Sequence, residues 1–155
     1  MKTLNTIIQE KLKINSKSKI YHYQHYQYFP KDKDELKELI KKLIVERGLE
    51  ANLNDIDVSH ITDMSQLFSN NKFNGDISEW DVGNVEDMAW MFAYSEFNGD
   101  ISEWDVGNVK TMEFMFYQSK FDKDISGWDV SNVKWMEGMF TYSKLSRKKP
   151  KWYHE

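Results

Sequence analysis

The sequence predicts an α/β repeat: a short solenoid of parallel strands and short helices, capped at its N-terminal side by an α-helix. Three observations carry this. Asp57, Asp81, Asp105 and Asp129 recur every 24 residues in a D-V-x-x-V/I phrase, and nearly every apolar residue keeps that register. Each repeat divides into a segment rich in β-formers and a segment with helical apolar spacing. An amphipathic stretch with helix-capping signals precedes the array. Self-similarity at a fixed period of this length indicates units that stack on their neighbours and cannot fold alone.

The rows define the expected core. Phe73, Phe97 and Phe121 form one row, closed by Leu145; Leu53, Ile77, Ile101 and Ile125 form the next. Ile56, Trp80, Trp104 and Trp128 follow, then Val58, Val82, Val106 and Val130, then Ile61, Val85, Val109 and Val133. Met64, Met88, Met112 and Met136 precede Leu67, Met91, Met115 and Met139, beside Phe68, Phe92, Phe116 and Phe140.

D-I-S-E-W-D-V (Asp76 to Val82, Asp100 to Val106) reads as a strand, being β-rich and too short for a helix. M-A-W-M-F and M-E-F-M-F (Met88 to Phe92, Met112 to Phe116) place apolar residues at i, i+3 and i+4, one helical face. Asn74-Gly75 and Asn98-Gly99 supply turns through residues that tolerate positive φ. Strand, turn and short helix once per unit is the leucine-rich-repeat arrangement. Strict alternation fails at one place: Trp80 and Val82 share a strand face, whereas Ile77 has the opposite parity. Either a bend brings both rows inward or one of them faces out.

Three regions follow: an N-terminal cap over 1–50, the repeat array over 51–145, and a basic-aromatic tail over 146–155. In the cap, Asp32 is the expected N-cap and Glu35 completes a capping-box spacing. Leu36, Leu39, Ile40, Leu43 and Ile44 form the apolar stripe, and Gly48 ends the helix. Thr3 to Leu12 reads as a further short helix. Tyr21 to Phe29 reads as a β-like or loop segment packing its rings on the cap, with a stacking surface as the alternative. In the tail, Arg147, Lys148, Lys149, Lys151, Trp152 and Tyr153 read as a solvated terminus or as a segment docking on an acidic surface.

Composition narrows the function. The chain has 155 residues and no cysteine, which excludes disulfides and thiolate metal sites. Its N-terminus has no continuous apolar run, so the expectation is a cytoplasmic chain without a signal peptide or membrane span, secreted or at the surface only if a leader was removed. The net charge of −4 conceals a segregation. Residues 51–143 hold 5 Lys+Arg against 17 Asp+Glu, whereas residues 1–50 hold 11 against 7 and residues 144–155 hold 5 against 1. Such asymmetry reflects electrostatic partner choice or complementarity between cap and array.

Residues 73–92, F-N-G-D-I-S-E-W-D-V-G-N-V-E-D-M-A-W-M-F, resemble the BspA-type leucine-rich repeat of bacterial surface proteins. The same module occurs in mycoplasmal and other bacterial proteins catalogued as domains of unknown function. The resemblance recurs about three and a half times over 51–145. The lead-in from Tyr28 to Ile40 and the segment from Leu53 to Val58 are also similar to the way such proteins begin. It implies a right-handed leucine-rich-repeat-like solenoid that binds proteins and has no catalysis. This repeat is a residue shorter than the family's common one, and the chain shows neither leader nor anchor.

The chemistry-bearing residues favour binding. The aspartate rows (Asp57 to Asp129; Asp76, Asp100, Asp124) read as side chains that bond turn amides, since a straight carboxylate ladder does not converge on a cation. Asn84, Asn108 and Asn132, with His60 in the first unit, read as a hydrogen-bonded ladder. His22 and His25 lack a third metal ligand at the right spacing. No nucleophile-base grouping or phosphate loop stands out, so neither enzymatic activity nor a cofactor or metal is expected. Recognition is expected where the units differ: Trp90, Phe114 and Trp135 as an aromatic patch, joined by Glu79, Glu103, Asp81 and Asp105 of the acidic array. The leading expectation is a non-catalytic protein-binding module of a bacterium or its mobile elements. The runner-up is an acidic phage-type inhibitor that blocks a nucleic-acid-binding site on a host enzyme by phosphate mimicry. Direct nucleic-acid binding through the basic tail and the Tyr/His run is the third and weakest reading, and the oligomeric state is left open.

Overall fold

The computed structural model describes residues 26–154. The expected helix from Thr3 to Leu12, His22 and His25, and most of the Tyr/His run lie outside them.

The cap forms as its sequence dictates. Helix α1 spans Lys33–Arg47. The Asp32 carboxylate accepts the Glu35 amide at 2.9 Å, and the Glu35 carboxylate reaches back to the Lys31 amide at 2.9 Å. That backbone bond, with the Lys31 ammonium beside it, holds the Glu35 carboxyl below its ordinary range. Gly48 stops the helix at φ +92°, its N–H bonding the Ile44 carbonyl. Leu36, Ile40 and Leu43 are buried against the array, whereas Val45 on the opposite side is exposed.

The array corrects the expected fold class. Among the described residues there is no strand and no sheet. Besides α1, the regular structure is one 3₁₀ turn, Lys144–Arg147, and units touch through isolated parallel bridges such as Asp63↔Asp87, Asp87↔Thr111 and Thr111↔Trp135. The leucine-rich-repeat-like α/β solenoid of parallel strands and short helices is therefore not what this chain forms. The 24-residue register instead organises a stack of turns, here numbered as unit 1 (49–72), unit 2 (73–96), unit 3 (97–120) and unit 4 (121–144).

The physical reason lies in the aspartates. In D-I-S-E-W-D-V, Asp76 accepts both the amide (3.0 Å) and hydroxyl (2.7 Å) of Ser78, and the Trp80 amide closes a turn on the Ile77 carbonyl at 3.2 Å. Asp81 then accepts the Gly83 amide, and Val85 closes the next turn on Val82. Such local side-chain bonds compete directly with an extended backbone. The first turn also removes the parity conflict: Ile77 is 1% and Trp80 4% exposed, so both rows face the core.

The M-A-W-M-F segment is not a helix either. Its bonds run from i+3 to i (Met91 to Met88, Ala93 to Trp90, Ser95 to Phe92), and Trp90 and Tyr94 sit at φ +59° and +57°. A right-handed helix cannot contain left-handed residues. The positive φ recurs at Gln66, Asn70, Phe114, Gln118, Gly138 and Tyr142.

Those conformations have a consequence between units. Met64, Gln66, Phe68 and Asn70 donate to the carbonyls of Asp87, Ala89, Met91 and Ala93 at 2.9–3.0 Å. The same four bonds repeat from Met88, Trp90, Phe92 and Tyr94, and again from Met112, Phe114, Phe116 and Gln118. All run one way, each N–H pointing toward the C-terminal end of the stack. The aligned peptides add their dipoles as they do along a helix. At the carbonyl end, Lys33 of α1 supplies a cation, 2.6 Å from the Asp63 carboxylate and 2.9 Å from the Ser65 hydroxyl. Burial alone would raise the Asp63 carboxyl. The bonds from Lys33 and Ser65 outweigh it and hold that carboxyl below its ordinary range.

The core is a set of parallel columns. Phe68, Phe92, Phe116 and Phe140 stack at 5.5, 5.7 and 5.9 Å with rings within 5° of parallel. Each tryptophan of the core row donates its indole N–H to a carbonyl of the preceding unit: Trp80 to Leu53, Trp104 to Ile77 and Trp128 to Ile101, at 2.9–3.1 Å. Trp152 continues the row onto Ile125 at 3.2 Å, and Tyr153 is buried edge-on to Phe140. This part of the basic-aromatic tail is packed against the stack.

The glycine of Asn74-Gly75 serves close approach, since its φ is not positive. A Cβ there would lie 2.0 Å from the Ala51 carbonyl oxygen, which also accepts the Asp76 amide at 3.0 Å. Gly75→Ala is expected to destabilise the fold by about 1–3 kcal/mol, the usual range for overpacking. Urea unfolding measures it, and a loss under about 0.5 kcal/mol, the scale of neutral surface changes, contradicts the close approach.

Candidate functional site

The segment 88–95 and its equivalents present rings outward. Trp90 and Phe114 lie in the same row and stack at 4.4 Å with 24° between planes. Below Phe114 the row continues to Gly138, where a Cβ would fall 2.3 Å from the phenylalanine ring. The bare glycine makes the space Phe114 occupies. At φ +63° it also takes without a side chain the backbone conformation that Trp90 and Phe114 adopt with one.

Tyr117 joins this pair to its neighbours. It meets Trp90 at 5.9 Å, Phe114 edge-on at 5.8 Å, Tyr94 at 5.3 Å and Tyr142 at 5.7 Å. Tyr94, Trp135 and Tyr142 are 43%, 55% and 75% exposed, while Trp90, Phe114 and Tyr117 are partly buried. The face therefore spans units 2 to 4 and is held together by edge-to-face and stacked geometry. Lost hydration, with Tyr117 alongside, pushes the Tyr94 phenol above its ordinary range. Trp135 stands slightly apart, with the Lys134 ammonium 6.0 Å from its ring. It shares with Phe114, Gly138, Tyr153 and His154 a cleft of about 740 Å³.

The sequence-predicted residues fall into two groups. Trp90, Phe114 and Trp135 belong to this aromatic face. Glu79, Glu103, Asp81 and Asp105 lie on the Asx-turn side of their units, and all four are exposed. Asp81 and Asp105 spend one carboxylate oxygen on the amides of Gly83 and Gly107, at 3.1 and 3.0 Å. The Glu79 amide is held by the Asn54 side chain at 3.0 Å. Equivalent turn bonds act on the Asp100 carboxyl (first the Ser102 amide) and on Asp124 and Asp129 (first the Ser126 and Ser131 hydroxyls), holding all three below their ordinary range. These aspartates shape their own turns. Sequence reasoning missed Tyr94, Tyr117 and Tyr142. The signal was present, because Asn70, Tyr94, Gln118 and Tyr142 form another row in which the units disagree.

The polar ladder is built from Asn84, Asn108 and Asn132, which donate to the carbonyls of Ser59, Gly83 and Gly107 at 2.6–2.7 Å. His60 takes the same place in unit 1, its Nε2 lying 2.6 Å from the Pro30 carbonyl. Among the described residues no group of three or more His, Asp or Glu side chains could hold a metal ion. None of the described helices is long and apolar enough to cross a membrane.

Comparison with known proteins matches residues 35–152 to the model of the family described as Mycoplasma protein of unknown function, DUF285. This corrects the resemblance to the BspA-type leucine-rich repeat family, for which there is no match. The motif that suggested it is mainly a spacing of core residues, which the turn stack shares without forming strands. The matched span runs from the first turn of α1 to Trp152, the last indole of the tryptophan row. No curated protein and no solved structure matches the chain.

Proposed function

This chain belongs to the family of Mycoplasma proteins of unknown function DUF285, and we propose that it is a non-catalytic protein-binding module whose contact surface is the aromatic face. The observation that carries the reading is where the repeat stops repeating. The core rows hold near-identical residues because each unit must match its neighbours. The outward rows escape that constraint, and in units 2 to 4 they bring aromatic rings together at positions 90, 94, 114, 117, 135 and 142. Adjacent half-exposed rings on a rigid scaffold suit a protein contact: they bury much apolar area and lose little side-chain entropy.

The acidic turns support an electrostatic contact less well, since the Asp81 and Asp105 carboxylates already bond the amides of their own turns. The test is capture of a partner from the source cell through a photoreactive group at position 94, followed by affinity measurements with variants. Trp90→Ala and Tyr142→Ala are each expected to weaken binding by about 30-fold or more, the effect of losing an interface anchor. The double variant Glu79→Gln/Glu103→Gln is expected to stay within about threefold, as for charges at an interface rim. If the acidic double variant abolishes binding while both aromatic variants leave it intact, the aromatic face is not the contact surface.

A further inference from the structure

The one-way hydrogen bonding of the outward segments leaves a distinctive row of donors at the C-terminal end. In units 1 to 3 every second N–H of the outward segment meets a carbonyl of the next unit. In unit 4 the equivalent donors are Met136, Gly138, Phe140 and Tyr142. Among the described residues, no acceptor meets any of these four N–H groups. Met136 and Gly138 line the 740 Å³ cleft, which also contains Trp135, Phe114, Tyr153 and His154. At the same end Val130, Val133 and Met136 are only partly buried, although their equivalents Val82, Val85 and Met88 are fully buried.

We infer that this cleft binds an extended, proline-bearing segment of a partner protein, through carbonyls set on the donor row and pyrrolidine rings set against Trp135, Phe114 and Tyr153. The polarity of the edge selects this chemistry. A β-strand edge presents N–H groups between its carbonyls; against a donor-only row those N–H groups would be buried without acceptors, which is unfavourable. Proline has no N–H to orphan and favours an extended backbone with free carbonyls. Aromatic-lined grooves are suited to such segments. The positive end of the stacked peptide dipoles reinforces an acceptor-only ligand. Glu113 and Glu137 outnumber Lys134 in the cleft lining, which acts against an acidic one.

Other occupants fit less well. Two copies cannot pair through this edge symmetrically, because donors would face donors. The complementary carbonyl row of a second copy, at Asp63, Ser65, Leu67 and Ser69, lies at the end where α1 packs and Lys33 holds Asp63 and Ser65. The donor row continues the interface already made between units, in which the N–H groups of 64–70, 88–94 and 112–118 bond the next unit, while the flanking carbonyls of Thr62, Glu86 and Lys110 accept from it.

The inference rests on the reading of the chain as a protein-binding module, and it is tested apart from the Trp90–Tyr94 contact. The full chain, labelled with ¹⁵N, is titrated with a synthetic peptide of alternating alanine and proline. Two controls are the same peptide with every proline replaced by alanine, and one with glutamate in place of alternate alanines. The expected result is saturable shifts centred on the Met136 and Gly138 amides, which line the cleft. Trp135→Ala, a change at an exposed position, is expected to weaken binding at least about tenfold, with the spectrum otherwise retained. Met136→Lys, which places a charge in the cleft, is expected to do the same. Equal binding of the all-alanine peptide, stronger binding of the glutamate peptide, or shifts elsewhere on the stack would each overturn the inference. So would concentration-dependent shifts of the same amides without peptide, which would assign the edge to a second copy. Partner capture lost on Trp90→Ala but peptide binding absent sinks this inference alone.

Discussion

Trp104→Ala is expected to lower the unfolding free energy by about 3–5 kcal/mol, the range for truncating a large buried aromatic. The indole is 4% exposed, lies 6.3 Å from the Phe92 ring and donates to the Ile77 carbonyl at 3.1 Å. Two effects are combined in that loss, and Trp104→Phe separates them. Phenylalanine keeps most of the apolar area but leaves the Ile77 carbonyl without its donor, a cost of about 1–3 kcal/mol for an unsatisfied buried group. Denaturant titration is the measurement, read as a shift in midpoint at constant slope. Trp152→Phe offers the internal comparison: this indole makes the same bond but is only partly buried at the end of the row, so its replacement is expected to cost less. Equal costs at 104 and 152 would mean that the tryptophan row is not the buried ladder described.

Phe92→Ala is the second large effect, again about 3–5 kcal/mol. Phe92 is fully buried and touches rings on three sides: Phe68 at 5.5 Å, Phe116 at 5.7 Å and Phe97 at 4.5 Å. Neighbouring units hold those rings in place, so the site has little room to collapse around the deleted ring. Phe114→Ala is expected to cost clearly less, because that ring is partly exposed and stacks on Trp90 at the surface. If the two substitutions prove equally damaging, the division into core column and contact face fails.

Several features were legible in the sequence because their causes are local or strictly periodic. The helix limits came from Asp32, Glu35 and Gly48, which act on amides within a turn of themselves. The core rows came from the 24-residue register alone. Even the place of Trp152 was open to that reasoning, since it stands 24 residues after Trp128. It was overlooked because the lysines between Leu145 and Trp152 hide the register.

The secondary structure was not legible for a different reason. Ile77, Trp80 and Val82 are good strand residues, and Met88, Met91 and Phe92 have helical spacing, so periodicity favoured both elements. Aspartates and serines turned the first segment, and left-handed backbone at Trp90 and Tyr94 ended the second. No rule of local preference places a tryptophan or tyrosine at positive φ. The bonds that hold those conformations join residues 23 positions apart, such as Trp90 to Glu113.

By itself, then, the sequence determined the repeat length, the capping helix and which side chains form the core, because each depends on near neighbours or on exact recurrence. The tertiary structure decided three further things: that the units are turns rather than strands and helices, that Tyr94, Tyr117 and Tyr142 join Trp90 and Phe114, and that unit 4 ends in a row of four N–H groups with no acceptor among the described residues. The reason is common to all three. Each depends on the direction of peptide groups relative to the next unit, and that direction is settled only when the units stack.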